Sequence, residues 1–225
     1  MAKQKPNILV IDVGGTNIKV IDSHRAEPVK IPSGTGMTAS SMVAEVRKVA
    51  DSWKYTAVSI GYPGPVIGGK PAAEPRNLGP GWTECDFEKA FGNPVRIMND
   101  AAMQALGSYK DGRMLFLGLG TGMGSALVIE GVVAPMELAH LPYRKGRTYE
   151  DYVGLRGIER RGKARWRRHV AIVVEQLRSA LVAEYVVLGG GNSKLLKELA
   201  PGVQLGSNAN AFTGGFRLWQ GYRVK

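Results

Sequence analysis

The amino-acid sequence predicts an α/β fold with mixed sheets that is built from two related halves. Runs of branched aliphatic residues, typical of buried strands, alternate along the 225 residues with segments whose apolar positions follow helical spacing. Two stretches, IDVGGTNIKVID near the N-terminus and LGLGTGMGSALVIEG in the middle of the chain, each place a glycine-rich turn between two strands. Because a similar order of strands and helices follows both stretches, we expect two copies of one α/β plan.

The first half is predicted to contain a hairpin, a helix, a strand, a long loop, a further strand and a second helix. Thr38 is the predicted N-cap of the first helix, since its hydroxyl can accept a backbone hydrogen bond. Loops as long as the one here, which is rich in proline and glycine, are usually functional or disordered. The predicted elements are strands over 7–13 and 17–22, a helix over 38–53, a strand over 56–60, the loop over 61–81, a strand over 95–98 and a helix over 101–109.

The second half repeats the hairpin and continues with a basic segment and a long amphipathic helix. A strand that ends in three glycines follows this helix. The predicted elements are two strands around the glycine turn within 114–131, a helix over 164–182, a strand over 185–191, a helix that begins at Ser193 and a final helix over about 209–219.

The composition indicates a globular protein of the cytoplasm. Hydrophobic residues make up 44% of the chain, which is enough for a substantial core. No stretch approaches the roughly 20 apolar residues that cross a bilayer, and the start, MAKQKPNILV, lacks the profile of a signal peptide. The single cysteine, Cys85, allows no internal disulfide and no cysteine-based zinc site, which fits a reducing compartment.

The charge of the chain predicts attraction to polyanions. The formal net charge is +11 and the pI is about 9.8, so nucleic acid, an anionic membrane and polyphosphate are the candidate partners. Much of the excess lies in one segment, where only Glu150, Asp151 and Glu159 oppose it. The basic residues of this segment are Arg144, Lys145, Arg147, Arg156, Arg160, Arg161, Lys163, Arg165, Arg167 and Arg168.

Two common phosphate-binding signatures do not fit the glycines of this chain. The run from Gly118 to Gly124 departs from the dinucleotide pattern, because Met123 stands at its third glycine. Residues 64–70 match the beginning of a Walker loop, but Pro71 replaces the hydroxyl residue that would bind magnesium. What remains is a turn of backbone N–H groups that can wrap an anion.

The first glycine turn is therefore either a phosphate cradle or a plain turn. Thr16 offers a hydroxyl and Lys19 an ammonium group close to it. Asp12, which precedes the turn, either positions magnesium or water at a transferred phosphoryl group or caps the turn through local N–H groups. The stretch by itself leaves both interpretations open.

Seven motifs, in order along most of the chain, resemble the ROK family of glucokinases and related sugar kinases. The motifs are DVGGTNIK, GYPGPV, RNLGPGW, NDAAMQALG, LGTGMGSALV, ELAHLP and VLGGGNS. Within this family the chain is most similar to the polyphosphate glucokinases, which are short, lack the family's cysteine-rich zinc segment and use inorganic polyphosphate as well as ATP. The resemblance implies an actin-like (ribonuclease H-like) ATPase fold with two α/β domains around a cleft. The domains would span 1–110 and 111–208, with the final helix returning to the first, and the protein would be a homodimer.

The resemblance also implies a glucokinase that transfers a phosphoryl group from polyphosphate or ATP to the 6-hydroxyl of glucose. Asp100 stands at the position of the family's catalytic base. The assignment is chemically reasonable, since a carboxylate can accept the proton of a sugar hydroxyl during transfer. A helix N-cap is the structural alternative for this residue. Mg²⁺ would bridge the donor oxygens, with Asp12 on the magnesium side through a bound water. The other donor-side residues would be Gly14, Gly15, Thr16, Asn17, Lys19, Thr121 and Gly122, and also Gly189, Gly190, Gly191 and Asn192, against which an adenosine would stack.

The sugar side is implied by the same motifs. Glu137 and His140 correspond to the residues that hold hydroxyls at the reducing end, although Ala139 stands where the family usually has glycine and leaves the exact sugar open. A lone histidine is also a common structural residue. The remaining sugar-side residues would be Gly61, Pro63, Gly64, Asn77 and Asn99; a pure turn is the alternative for the glycines and the proline.

The basic segment bears on the choice of donor, because a long phosphate polymer needs cations beyond the reaction centre. The expected polyphosphate track consists of Arg144, Lys145, Arg160, Arg161, Lys163, Arg165, Arg167 and Arg168. The alternative is a solvated helix face whose arginine stems cover Trp166. With the family's cysteines absent, no zinc is expected. The competing functions are an ATP-only hexokinase for another hexose and a non-catalytic binder of polyanions or nucleic acid, although the sparse aromatic residues disfavour nucleic acid.

Overall fold

Two mixed sheets form the frame of the protein in a computed structural model that describes residues 6–207 and 209–224. The strands are β1 Ile8–Val13, β2 Asn17–Asp22, β3 Val29–Pro32, β4 Ala57–Tyr62, β5 Val66–Ile67, β6 Lys70–Pro71, β7 Val95–Asn99, β8 Arg113–Leu119, β9 Met123–Ile129, β10 Val132–Met136, β11 Pro142–Arg144, β12 Arg147–Thr148, β13 Tyr185–Gly189, β14 Val203–Leu205 and β15 Arg223–Val224. The helices are α1 Ala39–Val49, α2 Phe87–Phe91, α3 Asp100–Ser108, α4 Glu150–Val153, α5 Leu155–Ala180 and α6 Asn210–Arg217.

The two sheets share one pairing pattern. The first has the order β3-β2-β1-β4-β7, with an antiparallel three-strand meander followed by two parallel strands. The second repeats this as β10-β9-β8-β13-β14 and adds β15 beside β10. The α/β prediction with mixed sheets in two related halves is therefore confirmed.

Three apolar clusters arrange the elements in layers. Helices α1 and α2 cover one face of the first sheet, and α5 covers the far face of the second. Helices α3 and α6 lie between the two sheets, in a cluster that joins Val10 of β1 to Phe116 of β8. Each sheet is thus buried on both faces, which accounts for nearly continuous apolar runs such as ILVIDV.

Helices α3 and α6 pack with their backbones in contact. A Cβ atom on Gly107 of α3 would overlap the Asn210 carbonyl group of α6, and one on Gly214 would overlap the Met103 carbonyl group of α3. Gly215 packs in the same way against Val10 of β1. The last helix is therefore fixed both to α3 and to the first sheet.

A buried polar contact adds to this attachment. The Ser59 hydroxyl of β4 donates a hydrogen bond of 2.7 Å to the Gly215 carbonyl oxygen and accepts one of 2.9 Å from the Trp219 indole. Both partners of Ser59 come from the C-terminal segment, so the hydroxyl is satisfied only when that segment is in place.

The prediction of an α-helix that begins at Ser193 is wrong. Only the 3₁₀ turn Ser193–Leu195 forms there, and Leu196 has an extended backbone. The Arg167 guanidinium of α5 donates to the Leu195 carbonyl oxygen at 2.7 Å, and in an α-helix this oxygen would accept from Leu199. A side chain from a distant helix therefore takes the acceptor that a helix needs.

Helix α5 begins nine residues before its predicted start, because residues 155–163 continue into it across a kink. Gly162 at the kink has φ 73° and ψ 160°, a backbone conformation that is almost restricted to glycine. The predicted loop over 61–81 contains the short hairpin β5–β6. Among residues 6–207 and 209–224, no helix is long and apolar enough to cross a membrane.

Candidate active site

The carboxyl ends of the parallel strands in the first sheet bring several predicted site residues to one edge. Asp12 at the end of β1 is in register with Gly61 of β4, and Gly61 is in register with Met98 of β7. Asn99 and Asp100 follow Met98 directly. The edge at which parallel strands end is the usual place for a binding site in an α/β sheet.

The first glycine turn connects β1 to β2 at this edge. The Gly14 amide donates to the Asn17 carbonyl oxygen at 3.2 Å, and a Cβ on Gly14 would lie 2.7 Å from that oxygen, so glycine is needed here. Ser33, which the sequence patterns did not single out, supports the turn: its hydroxyl donates to the Gly14 carbonyl oxygen at 2.6 Å, and its amide donates to the Thr16 carbonyl oxygen at 3.0 Å. A held turn of this kind can present its remaining N–H groups to an anion.

Asp12 and Lys19 form an ion pair across this hairpin. They are directly opposite in the β1–β2 register, and Lys19 Nζ lies 3.1 Å from Asp12 Oδ2. The Asp12 side chain is only 12% exposed, so the pair is partly shielded from water. Lys19, expected to face a phosphate, thus also neutralises the carboxylate expected to serve magnesium.

Asp100 is the first residue of α3, but it is not the helix cap. Asn99 is the N-cap: its Oδ1 accepts from the Ala102 amide at 3.1 Å, and its Nδ2 donates to the Gly64 carbonyl oxygen at 3.1 Å. Asp100 Oδ1 accepts from the Ala101 amide at 2.7 Å. Asn99 thus takes the N-cap position that the structural alternative gave to Asp100, and the side-chain amide of Asn99 is committed to the backbone.

The environment of Asp100 disfavours its charged form. Burial is the main cause, and the negative charges of Asp12 and Glu137 add to it; together they raise the pKa of Asp100 to about 7. The Ala101 hydrogen bond acts in the opposite direction. A carboxyl group that titrates near neutral pH is suited to accept a proton from a substrate.

The start of α3 lies tightly between the two sheets. A Cβ on Gly61 of the first sheet would overlap the Met103 side chain and lie 3.7 Å from the Asp100 Cα. A Cβ on Gly124 of the second sheet would lie 2.6 Å from the Ala101 Cβ. Glycines on both sides therefore let the start of α3 approach β4 of the first sheet and β9 of the second.

The second glycine turn is joined to the C-terminal end of β13. The Gly120 amide donates to the Gly122 carbonyl oxygen at 3.1 Å, and Thr121 stands at the tip. The Asn192 side chain donates to the Gly120 carbonyl oxygen at 2.9 Å, and Gly190, at φ 79°, packs against the Leu119 backbone. The residues predicted for the donor side of this half, Thr121, Gly122, Gly189, Gly190, Gly191 and Asn192, thus form one connected group of turns.

Glu150 is a further residue at the second turn that sequence reasoning missed. Its carboxylate covers Gly122, so a Cβ there would collide with it. The Leu155 amide of α5 also donates to the Thr121 carbonyl oxygen at 3.1 Å. The sequence contained one signal for Glu150, because this residue is the first of a short helical pattern. Among many basic neighbours, however, it was interpreted only as a charge that compensates them.

Two predicted sugar-side residues, Glu137 and His140, lie side by side directly after β10 of the second sheet. His140 Nε2 lies 3.6 Å from Glu137 Oε2; the two side chains are 54% and 62% exposed, and Glu137 is near enough to influence Asp100. Ala139, which lies between them in the sequence, is buried in the core of the second sheet, so it supports this turn from the side of the core. Asn77, from the loop, lies against Gly15, at 3.2 Å from the position of a Cβ there.

The predicted polyphosphate track separates into groups with different contacts. Arg160 pairs with Asp151 at 3.7 Å, and Arg167 donates to the Leu195 carbonyl oxygen, so both have structural partners. Lys163 and Arg168 are exposed. Arg144, Lys145, Arg161 and Arg165 converge on one pocket. Trp166 is fully buried and donates to the Val153 carbonyl oxygen at 2.7 Å, so it is a core residue.

The residues at the edge offer a limited set of metal ligands. Within residues 6–207 and 209–224 there is no group of three or more His, Cys, Asp or Glu side chains placed to hold a metal ion. Magnesium in phosphoryl-transfer sites is usually held by one or two carboxylates and by the phosphates of the substrate. The buried oxygens of Asp12 fit that kind of site.

Comparisons with known proteins identify the family of this chain. A family model described as the ROK family matches residues 8–135. The polyphosphate glucokinase of Mycobacterium tuberculosis is 25% identical over 215 residues, covering 85% of this chain and 80% of that protein.

Two solved structures have the same fold. The inorganic polyphosphate/ATP-glucomannokinase from Arthrobacter sp. strain KM superimposes with a TM-score of 0.76 at 24% identity, covering 96% of this chain and 98% of that one. A ROK family glucokinase from Streptomyces griseus, in complex with glucose and AMPPNP, has a TM-score of 0.73 at 17% identity, covering 94% and 98%. With the actin-like ATPase fold and a family match over more than half of its length, the chain belongs to the ROK family.

Proposed function

We propose that this protein is a sugar kinase that transfers a phosphoryl group from inorganic polyphosphate or ATP to the 6-hydroxyl of glucose. The observation that carries the proposal is the position of Asp100: a carboxyl group with its pKa raised to about 7, at the start of α3, which packs against Gly61 of the first sheet and Gly124 of the second. The names of the relatives support the sugar and both donors, since they include a polyphosphate glucokinase and a polyphosphate/ATP-glucomannokinase.

In this proposal Asp100 accepts the proton of the sugar hydroxyl as the oxygen attacks the terminal phosphorus of the donor. A primary hydroxyl is a weak nucleophile, and a carboxylate within hydrogen-bond distance makes it more reactive as transfer proceeds. Asn99 fixes the direction of Asp100 by capping α3 and by holding the loop at Gly64. Glu137 and His140 bind sugar hydroxyls from the opposite side.

The two glycine turns hold the donor. Backbone N–H groups of Gly15 and Thr16 face its terminal phosphate, while the Gly14 amide holds the turn through its bond to Asn17; Thr121 and Gly122 face the phosphates behind it. Asp12 would hold Mg²⁺, which when bound supplies positive charge to the donor oxygens. Lys19, paired with Asp12 at 3.1 Å, keeps the charge of this carboxylate balanced when the site is free.

We predict that kcat/KM for glucose rises with pH and levels off above about pH 7. The base must be ionised to accept a proton, and the pKa of Asp100 in the free protein is about 7. Below that pH the ionised fraction falls about tenfold per pH unit. Initial rates at glucose and donor concentrations below their KM values would check it across this range; a profile that is flat between about pH 5 and 7 would argue against Asp100 as the base.

The test of the proposal is glucose phosphorylation with ATP and with long-chain polyphosphate in parallel, each at low and high salt. Activity with polyphosphate that falls as salt rises is expected, because a basic surface that binds the polymer releases the counterions condensed on its phosphates. Activity with ATP alone would refute the polyphosphate donor. No activity with any hexose would refute the kinase.

A second candidate, a non-catalytic binder of polyanions, is favoured by one observation: the net charge of +11, much of it in one segment. The two functions separate in one variant. Asp100→Asn leaves polyanion binding intact in either case, but it removes turnover only if the protein is a kinase.

A further inference from the structure

A basic pocket lies between the β11–β12 hairpin and the helices α4 and α5. It has a volume of about 290 Å³ and is lined by Arg144, Lys145, Tyr152, Arg161, Arg165 and His169. No residue of the candidate active site lines it. Its volume is at the lower end of the range of small-molecule sites, which fits a compact ligand.

Among the residues that the structure describes, no acidic side chain pairs with the cations of the basic pocket. The ion pairs of the segment within the described residues are those of Asp151 with Arg156 and Arg160, at 3.8 and 3.7 Å. The pocket's own four cations take part in none of the ion pairs found in the described parts of the chain. Four like charges that share one pocket repel each other, and an anion between them would relieve that repulsion.

Aromatic rings hold two of these cations, Arg144 and Arg161, in place. The Arg161 guanidinium lies 3.8 Å from the centre of the Tyr152 ring, and Arg144 lies 5.1 Å from that of Tyr143. The Tyr143 hydroxyl is hydrogen-bonded to His169 Nδ1 at 3.1 Å, and the Tyr152 ring packs edge-on against His169. Guanidinium groups that are already stacked lose less freedom when they bind a phosphate.

We propose that the basic pocket is a phosphate-binding site separate from the two glycine turns, and that it takes a unit of a polyphosphate chain. The proposal rests on the proposed function for the identity of the chain. The pocket is connected to the second turn through α5, because the Leu155 amide is bonded to Thr121 and Arg161 follows about 9 Å further along the helix axis. A donor that extends past the second turn would meet these cations.

Nucleic acid fits the basic pocket less well. Binding of single strands combines a basic groove with exposed aromatic faces on which bases stack. Tyr152 is only 4% exposed and is covered by Arg161, so its face is not available to a base. A bare phosphate chain needs no such face.

His169 offers a readout that is independent of catalysis. Burial, together with the charges of Arg144 and Arg161, lowers its pKa. The other groups that face it are Tyr143 from β11, Tyr152 from α4 and the pocket cations Lys145 and Arg165. A bound anion favours the imidazolium ion, so filling the pocket should raise the pKa of His169.

The test compares two double variants of the full-length protein that remove the same charge. Arg161→Ala with Arg165→Ala removes pocket cations, and Lys163→Ala with Arg168→Ala removes two exposed cations of the same helix. We expect the pocket variant to bind long-chain polyphosphate about tenfold more weakly in calorimetry, or about 1.4 kcal/mol, and the control about twofold at most. Polyphosphate should raise the pKa of His169, followed by NMR, in the control variant but not in the pocket variant.

Steady-state kinetics test whether the basic pocket binds polyphosphate when it serves as the donor. The pocket variant should have a higher KM for long-chain polyphosphate, with kcat and the KM values for ATP and glucose unchanged. Equal weakening in both variants would overturn the proposal, even if glucose phosphorylation continues. Inorganic phosphate or single-stranded DNA that binds the pocket as tightly as polyphosphate would also overturn it. If no hexose is phosphorylated but only the pocket variant loses binding, the site stands and the kinase does not.

Discussion

Asp100→Asn is expected to lower kcat for glucose phosphorylation by about 10²–10⁴-fold, the contribution typical of a general base. The amide keeps the size of the side chain and can accept the bond from the Ala101 amide, but it cannot take a proton from the sugar. The KM for glucose should change little, because the shape of the site is preserved. Steady-state rates with either donor would measure both quantities.

Stability provides the control for this variant. A raised pKa means that the folded state disfavours the charged carboxylate, so wild-type Asp100 destabilises the fold above about pH 7. The destabilisation decreases as the pH falls from about 7 toward 4 and is absent below the unfolded-state pKa of about 3.9. Asp100→Asn should therefore raise the free energy of unfolding at pH 8, and the gain should disappear at low pH.

A matched variant tests whether the loss is local to the site. Asp22 is also buried, but it lies at the other end of the β1–β2 hairpin, where it is in register with Leu9. Asp22→Asn should leave kcat unchanged. If Asp100→Asn retains more than about a tenth of wild-type turnover, the base is another group.

Gly107→Ala is expected to destabilise the protein by about 3 kcal/mol or more, the upper range for overpacking. Two effects oppose each other here. Replacing a helical glycine with alanine gains about 1 kcal/mol in helix propensity, but the new methyl group would overlap the Asn210 carbonyl group of α6. Because neither backbone can move without shifting a sheet, the overlap should dominate. Urea unfolding measures the difference.

The control for this change is Gly36→Ala. Gly36 is exposed, lacks a positive φ and has no atom within 4 Å of the position that an added Cβ would take, so its substitution should be close to neutral. Activity gives a second readout, since moving α3 also moves Asp100. A Gly107→Ala protein that unfolds at a higher urea concentration than wild type would show that the helices have room between them.

Local patterns predicted the central elements of the fold well. Strand β2 has its predicted bounds, and Thr38 caps α1 through the Ser41 amide at 3.1 Å, because turn and cap chemistry depends on neighbouring residues. The absent helix after Ser193 and the early start of α5 depend instead on a distant arginine and on a kink at Gly162. Neither contact leaves a periodic signal in the sequence.

The candidate site was predicted as a set of motifs rather than as a set of contacts. The resemblance pointed to Asp100, and the geometry then gave the capping role to Asn99. The pairing of Lys19 with Asp12 follows from the register of a hairpin, and the position of Glu150 over Gly122 follows from tertiary packing. Motif spacing carries no information on either contact, so these charges were assigned to substrate alone or overlooked.

The contacts of α6 with the first sheet have a consequence for synthesis of the chain on the ribosome. Strands β1 and β4 are made about 150 residues or more before Gly215 and Trp219, which cover Val10 and satisfy Ser59. The first sheet therefore stays incomplete until the segment up to Trp219 has been made. A nascent chain that stops before residue 210 would lack α6, which supports α3. Such truncated products should therefore be without activity and exposed to proteolysis.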